Sequence, residues 1–155
     1  MQSEILTFSA NLELVEALTK YNARFFIVGG TAVRYHVPER DADDLDILIE
    51  PSVKTASAVI SALTSCPLIS TAGLTVEKLT QPQKIQIPAK IYYYADILKP
   101  AHDFNFDLHW ILAHDAKVGQ IPVKVASVKT LLALLVDSNE PKHASDISLL
   151  VSITG

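Results

Sequence analysis

The feature that most constrains the fold is the stretch RFFIVGGTAVRYHVPERDADDLDILIE, residues 24 to 50. Arg24 to Val28 is β-branched and aromatic and stops at Gly29-Gly30, which predicts a strand running into a tight turn. Thr31 to His36 then reads as the start of a helix, ended before Pro38 because the residue preceding a proline is pushed out of the helical region. Asp44 to Glu50 (DLDILIE) reads as a second strand, closed by Pro51. Strand, glycine turn, short helix and strand in immediate succession leave the chain little choice but a sheet with helices packed on it.

The remaining segments fit that plan. Ser9 to Tyr21 carries Leu12, Val15, Ala17, Leu18 and Tyr21 at helical spacing, with Ser9 or Asn11 as N-cap. Val53 to Leu63 has a helical apolar phase with Ser52 as its cap. Residues 74 to 79, 84 to 87 and 91 to 98 read as short extended runs punctuated by proline and glutamine, a meander or hairpin. Ile121 to Val125 is a further strand. Ser127 begins a helix with Leu131, Leu132, Leu134 and Leu135, and Pro141 opens the last one, with Ile147, Leu149, Leu150 and Ile153 for the core. The expected fold class is α/β (α+β), a mixed sheet flanked by helices. The 155 residues suit one domain over 1–155, and 49% hydrophobic with 19% charged residues suits a globular core. A net charge of −4 speaks against a broad basic face for duplex DNA. The single cysteine, Cys66, the lack of an export signal and the lack of a long apolar run predict a cytoplasmic protein with no membrane segment.

On a strand, Asp44 and Asp46 point to the same face, roughly 7 Å apart, with Leu45, Ile47 and Ile49 on the other. Two carboxylates so placed repel unless a cation lies between them, and oxygen-only ligands suit Mg²⁺ or Mn²⁺. The Gly29-Gly30-Thr31 turn just before offers backbone N–H groups and a hydroxyl to an anion, since glycine lets a phosphate approach the backbone closely. Taken separately, a glycine pair is an ordinary strand-to-helix turn, and an Asp-x-Asp pair is an ordinary solvated edge. On adjacent elements they make a phosphate cradle beside a metal site. The five histidines show no ligand spacing and are assigned to surface or hydrogen-bonded positions. Cys66, Phe106 and Trp110 are assigned to packing.

With these residues in place, the sequence resembles the minimal nucleotidyltransferases of the DNA polymerase β-like superfamily. Their fingerprint is matched by Val28-Gly29-Gly30, a spacer, then Asp44-Leu45-Asp46-Ile47. Arg40 matches the arginine of the family's Arg-x-Thr-x-Asp-x-Asp run, whereas Ala42 replaces its threonine. The resemblance implies a third carboxylate on a later strand: Asp96 in IYYYADIL is preferred, with Asp107 in FNFDLHW as the alternative. The tail around Pro141-Lys142 and Asp146-Ile147 is also similar to the family's, although a usual lysine is Leu135 here and an aspartate is His143.

The resemblance implies an enzyme, a metal-dependent nucleotidyltransferase that moves a nucleoside monophosphate from a nucleoside triphosphate such as ATP to a hydroxyl acceptor. Asp44, Asp46 and Asp96 would bind Mg²⁺ (or Mn²⁺) and carry catalysis. Gly29, Gly30, Thr31, Arg34 and Arg40 would bind the nucleotide. The acceptor, a small molecule, a protein or an RNA, is not legible in the sequence, and it could involve a partner protein or a homodimer. The resemblance also implies a setting, since small proteins that resemble this one often act in bacterial toxin–antitoxin or phage-defence pairs. An inactive nucleotide-binding or partner-binding module of the same fold is the alternative, motivated by Ala42, Leu135 and His143. A metal-dependent nuclease is a third class, disfavoured by the phosphate turn.

Overall fold

The computed structural model describes residues 3–5, 9–42, 45–67, 74–80, 84–88, 94–98, 104–136 and 140–154, with strands at 3–5, 84–88 and 94–98 described mainly by their backbone. In chain order the described elements are β1 (Ser3–Ile5), α1 (Ser9–Lys20), β2 (Phe25–Val28), α2 (Gly29–His36), β3 (Leu45–Ile49), α3 (Val53–Thr64), α4 (Val76–Thr80), β4 (Lys84–Pro88), β5 (Tyr94–Leu98), α5 (Phe106–Leu112), β6 (His114–Val118), β7 (Ile121–Val125), α6 (Val128–Leu135) and α7 (Pro141–Thr154). The strands form one mixed sheet in the order β1-β6-β7-β2-β3-β5-β4. β3 runs antiparallel to β2 and parallel to β5. The expected fold class, α+β with a mixed sheet and flanking helices, is the fold observed.

The two central strands carry the core. All four residues of β2 are buried, and every residue of β3 is buried except the half-buried Asp46. Helices therefore cover both faces at the centre of the sheet. α5 lies on the face that holds Phe26, whose ring stacks on Phe106 at 5.1 Å, and Phe106 stacks in turn on Trp110. α1 packs on α3, and α2 packs on both α6 and α7. The capping predicted for α3 holds: the Ser52 hydroxyl accepts from the Thr55 N–H at 3.1 Å. Ser127 caps α6 in the same way.

Several expectations need correction. Residues 76–80 form a helical turn rather than an extended run, because the Thr75 hydroxyl accepts from the Lys78 N–H at 3.1 Å and nucleates it. The alternative third carboxylate, Asp107, is not on a strand: Asn105 caps α5 through the Leu108 N–H, which puts Asp107 on a helix. β6, unanticipated, pairs with β7 through a two-residue turn at Gly119-Gln120, with Gly119 at φ +60° as such a turn requires. β1, also unanticipated, adds parallel to β6. Ile153 is 49% exposed and does not serve the core, whereas Leu150 is buried there. Of the run expected over 91 to 98, residues 91–93 lie outside the described residues. No helix among the described residues is long and apolar enough to cross a membrane.

Candidate active site

The site is built where β2 ends. Val28 is paired with Asp46 across the antiparallel β2–β3 ladder, so the chain leaves β2 beside the one half-buried carboxylate of β3. It then turns at Gly29, whose φ is +67°, a conformation that L-residues with a side chain rarely adopt. A Cβ at Gly29 would collide with the Asp46 carboxylate, 2.9 Å from its Cβ and Cγ and closer still to Oδ2. The first turn of α2 is thus pressed against Asp46, and only glycine permits it. Asp46 Oδ1 is shielded from solvent.

Gly30 answers to a second charged group. A Cβ there would lie 3.0, 3.1 and 3.2 Å from Nη2, Nη1 and Cζ of Arg40. Near-equal distances to three atoms of one plane mean that the guanidinium lies flat over Gly30. Arg40 comes from the loop between α2 and β3. Its Nε donates to Asp146 Oδ1 at 2.8 Å and its Nη2 to Asp146 Oδ2 at 3.2 Å, a two-pronged ion pair with a carboxylate only 4% exposed on α7. Its Nη1 also donates to the Asp41 carbonyl oxygen. Hydrogen bonding to Asp146 raises the Arg40 pKa above its ordinary value, against the opposing pull of burial.

Thr31 is buried in the first turn of α2. Arg34, further along the same helix, is exposed. Residue 96 stands in parallel register with Asp46 on the neighbouring strand, and adjacent strands are about 4.8 Å apart. Two acidic residues side by side across strands are destabilising by themselves. Carboxylate is the donor type that suits a hard divalent cation. Asp44 lies outside the described residues, as does the side chain of Asp96, and among the described side chains no group of three His, Cys, Asp or Glu assembles.

Asp107 is elsewhere. Its Oδ1 lies 3.0 Å from Arg24 Nη1, and Arg24 also pairs with Glu50. Arg24 is four residues before Val28, roughly 13 Å along the strand from the glycine turn. There its guanidinium covers the rings of Trp110 and Phe106. Burial alone would raise the Glu50 pKa, but hydrogen bonds from Ser52, Thr55 and Arg24 outweigh it and hold the carboxyl below its ordinary value. This cluster fastens α5 and the start of α3 to the sheet.

The fold as a whole is similar to that of several solved structures. The chain is similar to the lincosamide antibiotic adenylyltransferase LnuA with lincomycin bound, at a TM-score of 0.61 and 16% identity, over 96% of this chain and 98% of that one. The chain has a nucleotidyltransferase fold. It is also similar to an antigenic nucleotidyltransferase-like protein from Paracoccidioides brasiliensis (TM-score 0.58, 18% identity, 94% of this chain and 76% of that one). A third similar structure is ANT(2'')-Ia in complex with adenylyl-2''-tobramycin (TM-score 0.57, 13% identity, 94% and 89%). No protein-family model matches the sequence, and no curated protein does.

Within this nucleotidyltransferase fold, one position agrees with its sequence reading and one goes beyond it. Leu135, where the related pattern has a lysine, is buried in the core, so that position brings no cation to the site. Asp146 has a site contact that sequence reasoning did not assign. Its only signal was the Asp-Ile of the tail motif; the partner, Arg40, is 106 residues away in the chain.

Proposed function

We propose that the chain is a nucleotidyltransferase that moves a nucleoside monophosphate from a nucleoside triphosphate to a hydroxyl acceptor. The observation that carries this reading is the Asp46 carboxylate packed against Gly29 at the start of α2, in a fold shared with nucleotidyltransferases. Asp44, Asp46 and Asp96 would hold Mg²⁺ or Mn²⁺. Such ions, when bound, supply charge neutralisation on the phosphates and a more acidic acceptor hydroxyl. The backbone of Gly29 and Gly30, the Thr31 hydroxyl and the Arg40 guanidinium receive the triphosphate, with the exposed Arg34 reaching it from further along α2. Asp96 accepts the proton of the acceptor hydroxyl. The acceptor oxygen bonds to the α-phosphorus as the bridge to the β-phosphate breaks, and pyrophosphate leaves. Fixing donors and acceptors in place is the protein's main contribution to such a step.

Two of the similar structures hold an antibiotic or an adenylylated antibiotic, which supports a small hydroxyl-bearing acceptor first; a protein or RNA acceptor, as in a toxin–antitoxin pair, is the next to test. A second reading, a module that binds nucleotide without transferring it, is favoured by the burial of Leu135 in place of a cation. One assay separates them: each of the four nucleoside triphosphates, labelled at the α-phosphate, with Mg²⁺ and cell extract. Label on an acceptor, lost in Asp46→Ala, supports transfer. Nucleotide binding without label on any acceptor supports the module, and neither binding nor label removes both.

A further inference from the structure

We propose that Asp146, on the C-terminal helix, is a positioning residue for the nucleotide site, holding the Arg40 guanidinium flat over Gly30 so that its remaining N–H donors meet the phosphates of a nucleoside triphosphate. This rests on the nucleotidyltransferase reading above and adds a residue and a role to it.

The donor arithmetic supports it. A guanidinium has five N–H groups and no acceptor. Nε and one N–H of Nη2 go to the two Asp146 oxygens, and one N–H of Nη1 goes to the Asp41 carbonyl. Among the described residues, one N–H on each terminal nitrogen is left, a pair suited to two oxygens of a phosphate group. The plane that carries them is stacked on Gly30, the second residue of the proposed phosphate turn. Asp146 thus occupies the Nε side and leaves the terminal donors at the turn.

Placement matters because Arg40 is on a loop, its backbone held by one turn bond from its N–H to the Val37 carbonyl. A long side chain on a loop samples many rotamers, and ordering it at the moment of binding weakens affinity. A buried partner that fixes it beforehand removes that loss. An ion pair needed only to fasten α7 would not require the guanidinium to lie against the one glycine whose Cβ it would meet. Removing Asp146 also unmasks positive charge, which by itself attracts a triphosphate, so positioning and bare electrostatics predict opposite signs.

The test is calorimetric binding of Mg²⁺ with ATP, GTP, CTP or UTP to wild type, Asp146→Asn, Asp146→Glu, Arg40→Gln and Arg40→Gln/Asp146→Asn, each checked for folding by circular dichroism. Asp146→Glu keeps the charge and moves the carboxylate, so it remains informative if Asp146→Asn does not fold. Both single Asp146 variants should bind about tenfold more weakly, roughly the loss of a charge-assisted hydrogen bond. Arg40→Gln should be at least as weak, and adding Asp146→Asn to it should change nothing further, because Asp146 acts through Arg40. Wild-type affinity or tighter binding in a folded Asp146 variant overturns the positioning role while leaving the proposed function intact. Additive losses in the double variant overturn it equally. No binding of any of the four by wild type overturns both.

Discussion

Each glycine of the turn is fixed by one charged neighbour, and so the glycines make separate predictions. At Gly29, alanine meets a positive φ and the Asp46 carboxylate together. A left-handed backbone alone costs a non-glycine residue about 1–2 kcal/mol, so Gly29→Ala should lose at least about 2 kcal/mol in urea denaturation. A loss under about 0.5 kcal/mol would show that the helix start can retreat from Asp46. The carboxylates themselves make an activity prediction. Asp44→Ala, Asp46→Ala and Asp96→Ala should abolish label transfer with the fold retained, whereas Asp107→Ala, which removes one partner of an exposed Arg24 pair, should transfer normally. Transfer within a few-fold of wild type in Asp46→Ala sinks the metal-ligand assignment. Asp46→Asn adds a test without activity: it removes one of several like charges, so without metal it should melt at or above wild type, by up to ~1 kcal/mol. Mn²⁺ should raise the wild-type melting temperature and the variant's much less. A clear loss of stability in metal-free Asp46→Asn would make Asp46 a structural acceptor instead.

At the scale of elements, α5 and α6 are joined through a buried polar chain. The Thr130 N–H and the Ser127 hydroxyl hold the start of α6, the Ser127 hydroxyl donates to Thr130 Oγ1 at 3.0 Å, and Thr130 Oγ1 lies 2.6 Å from His109 Nδ1. Burial lowers the His109 pKa, which favours the neutral ring, and its Nδ1 shares one hydrogen bond with the Thr130 hydroxyl. Thr130→Val keeps the shape and strands both neighbours, so it should lose about 1–3 kcal/mol in chemical denaturation; an unchanged midpoint would mean that water replaces the hydroxyl. None of this chain is visible in the sequence, because His109 and Thr130 meet only after two helices pack. What was legible was local. β2, α2, β3 and α3 were readable because Gly29-Gly30, Pro38, Pro51 and the Ser52 cap punctuate them in sequence. α4 was misread because Leu74-Thr75-Val76-Glu77 alternates like a strand, while the deciding Thr75 cap is a single hydrogen bond. β6 was missed because its apolar residues are only Ala116 and Val118, and it earns its place by pairing with β7. At the site, the Gly-Gly and Asp-x-Asp pattern was legible, but the Arg40–Asp146 pair was not, because nothing local links a loop arginine to the last helix.

For the whole molecule, pH dependence follows from the groups that folding moves away from their ordinary values. His109 is lowered from 6.5, first by burial and then by Lys129. His36 is lowered as well, by burial first, with His114 adding to it and the hydrogen bond from Nε2 to the Ala126 carbonyl at 2.7 Å opposing. Both rings therefore stay neutral in the folded chain at a pH where the unfolded chain has taken up protons. When the unfolded state binds more protons, stability rises with pH. Their contribution is complete above about 6.5 and is lost as pH falls from there through the lower folded values. Glu50, lowered from 4.5, gives a second loss at more acidic pH: its stabilisation is present above that value and disappears as pH drops through the folded one. The melting temperature should thus be level just above pH 6.5, fall through the histidine window, and fall again below about 4.5. His109→Gln can still bond to Thr130 but cannot take up a proton there, so its melting temperature should fall less steeply between pH 6.5 and 5 than that of wild type. Equal slopes for the two proteins would show that His109 is protonated as readily in the folded chain as in the unfolded one, and that the Thr130 hydroxyl turns to accept from it.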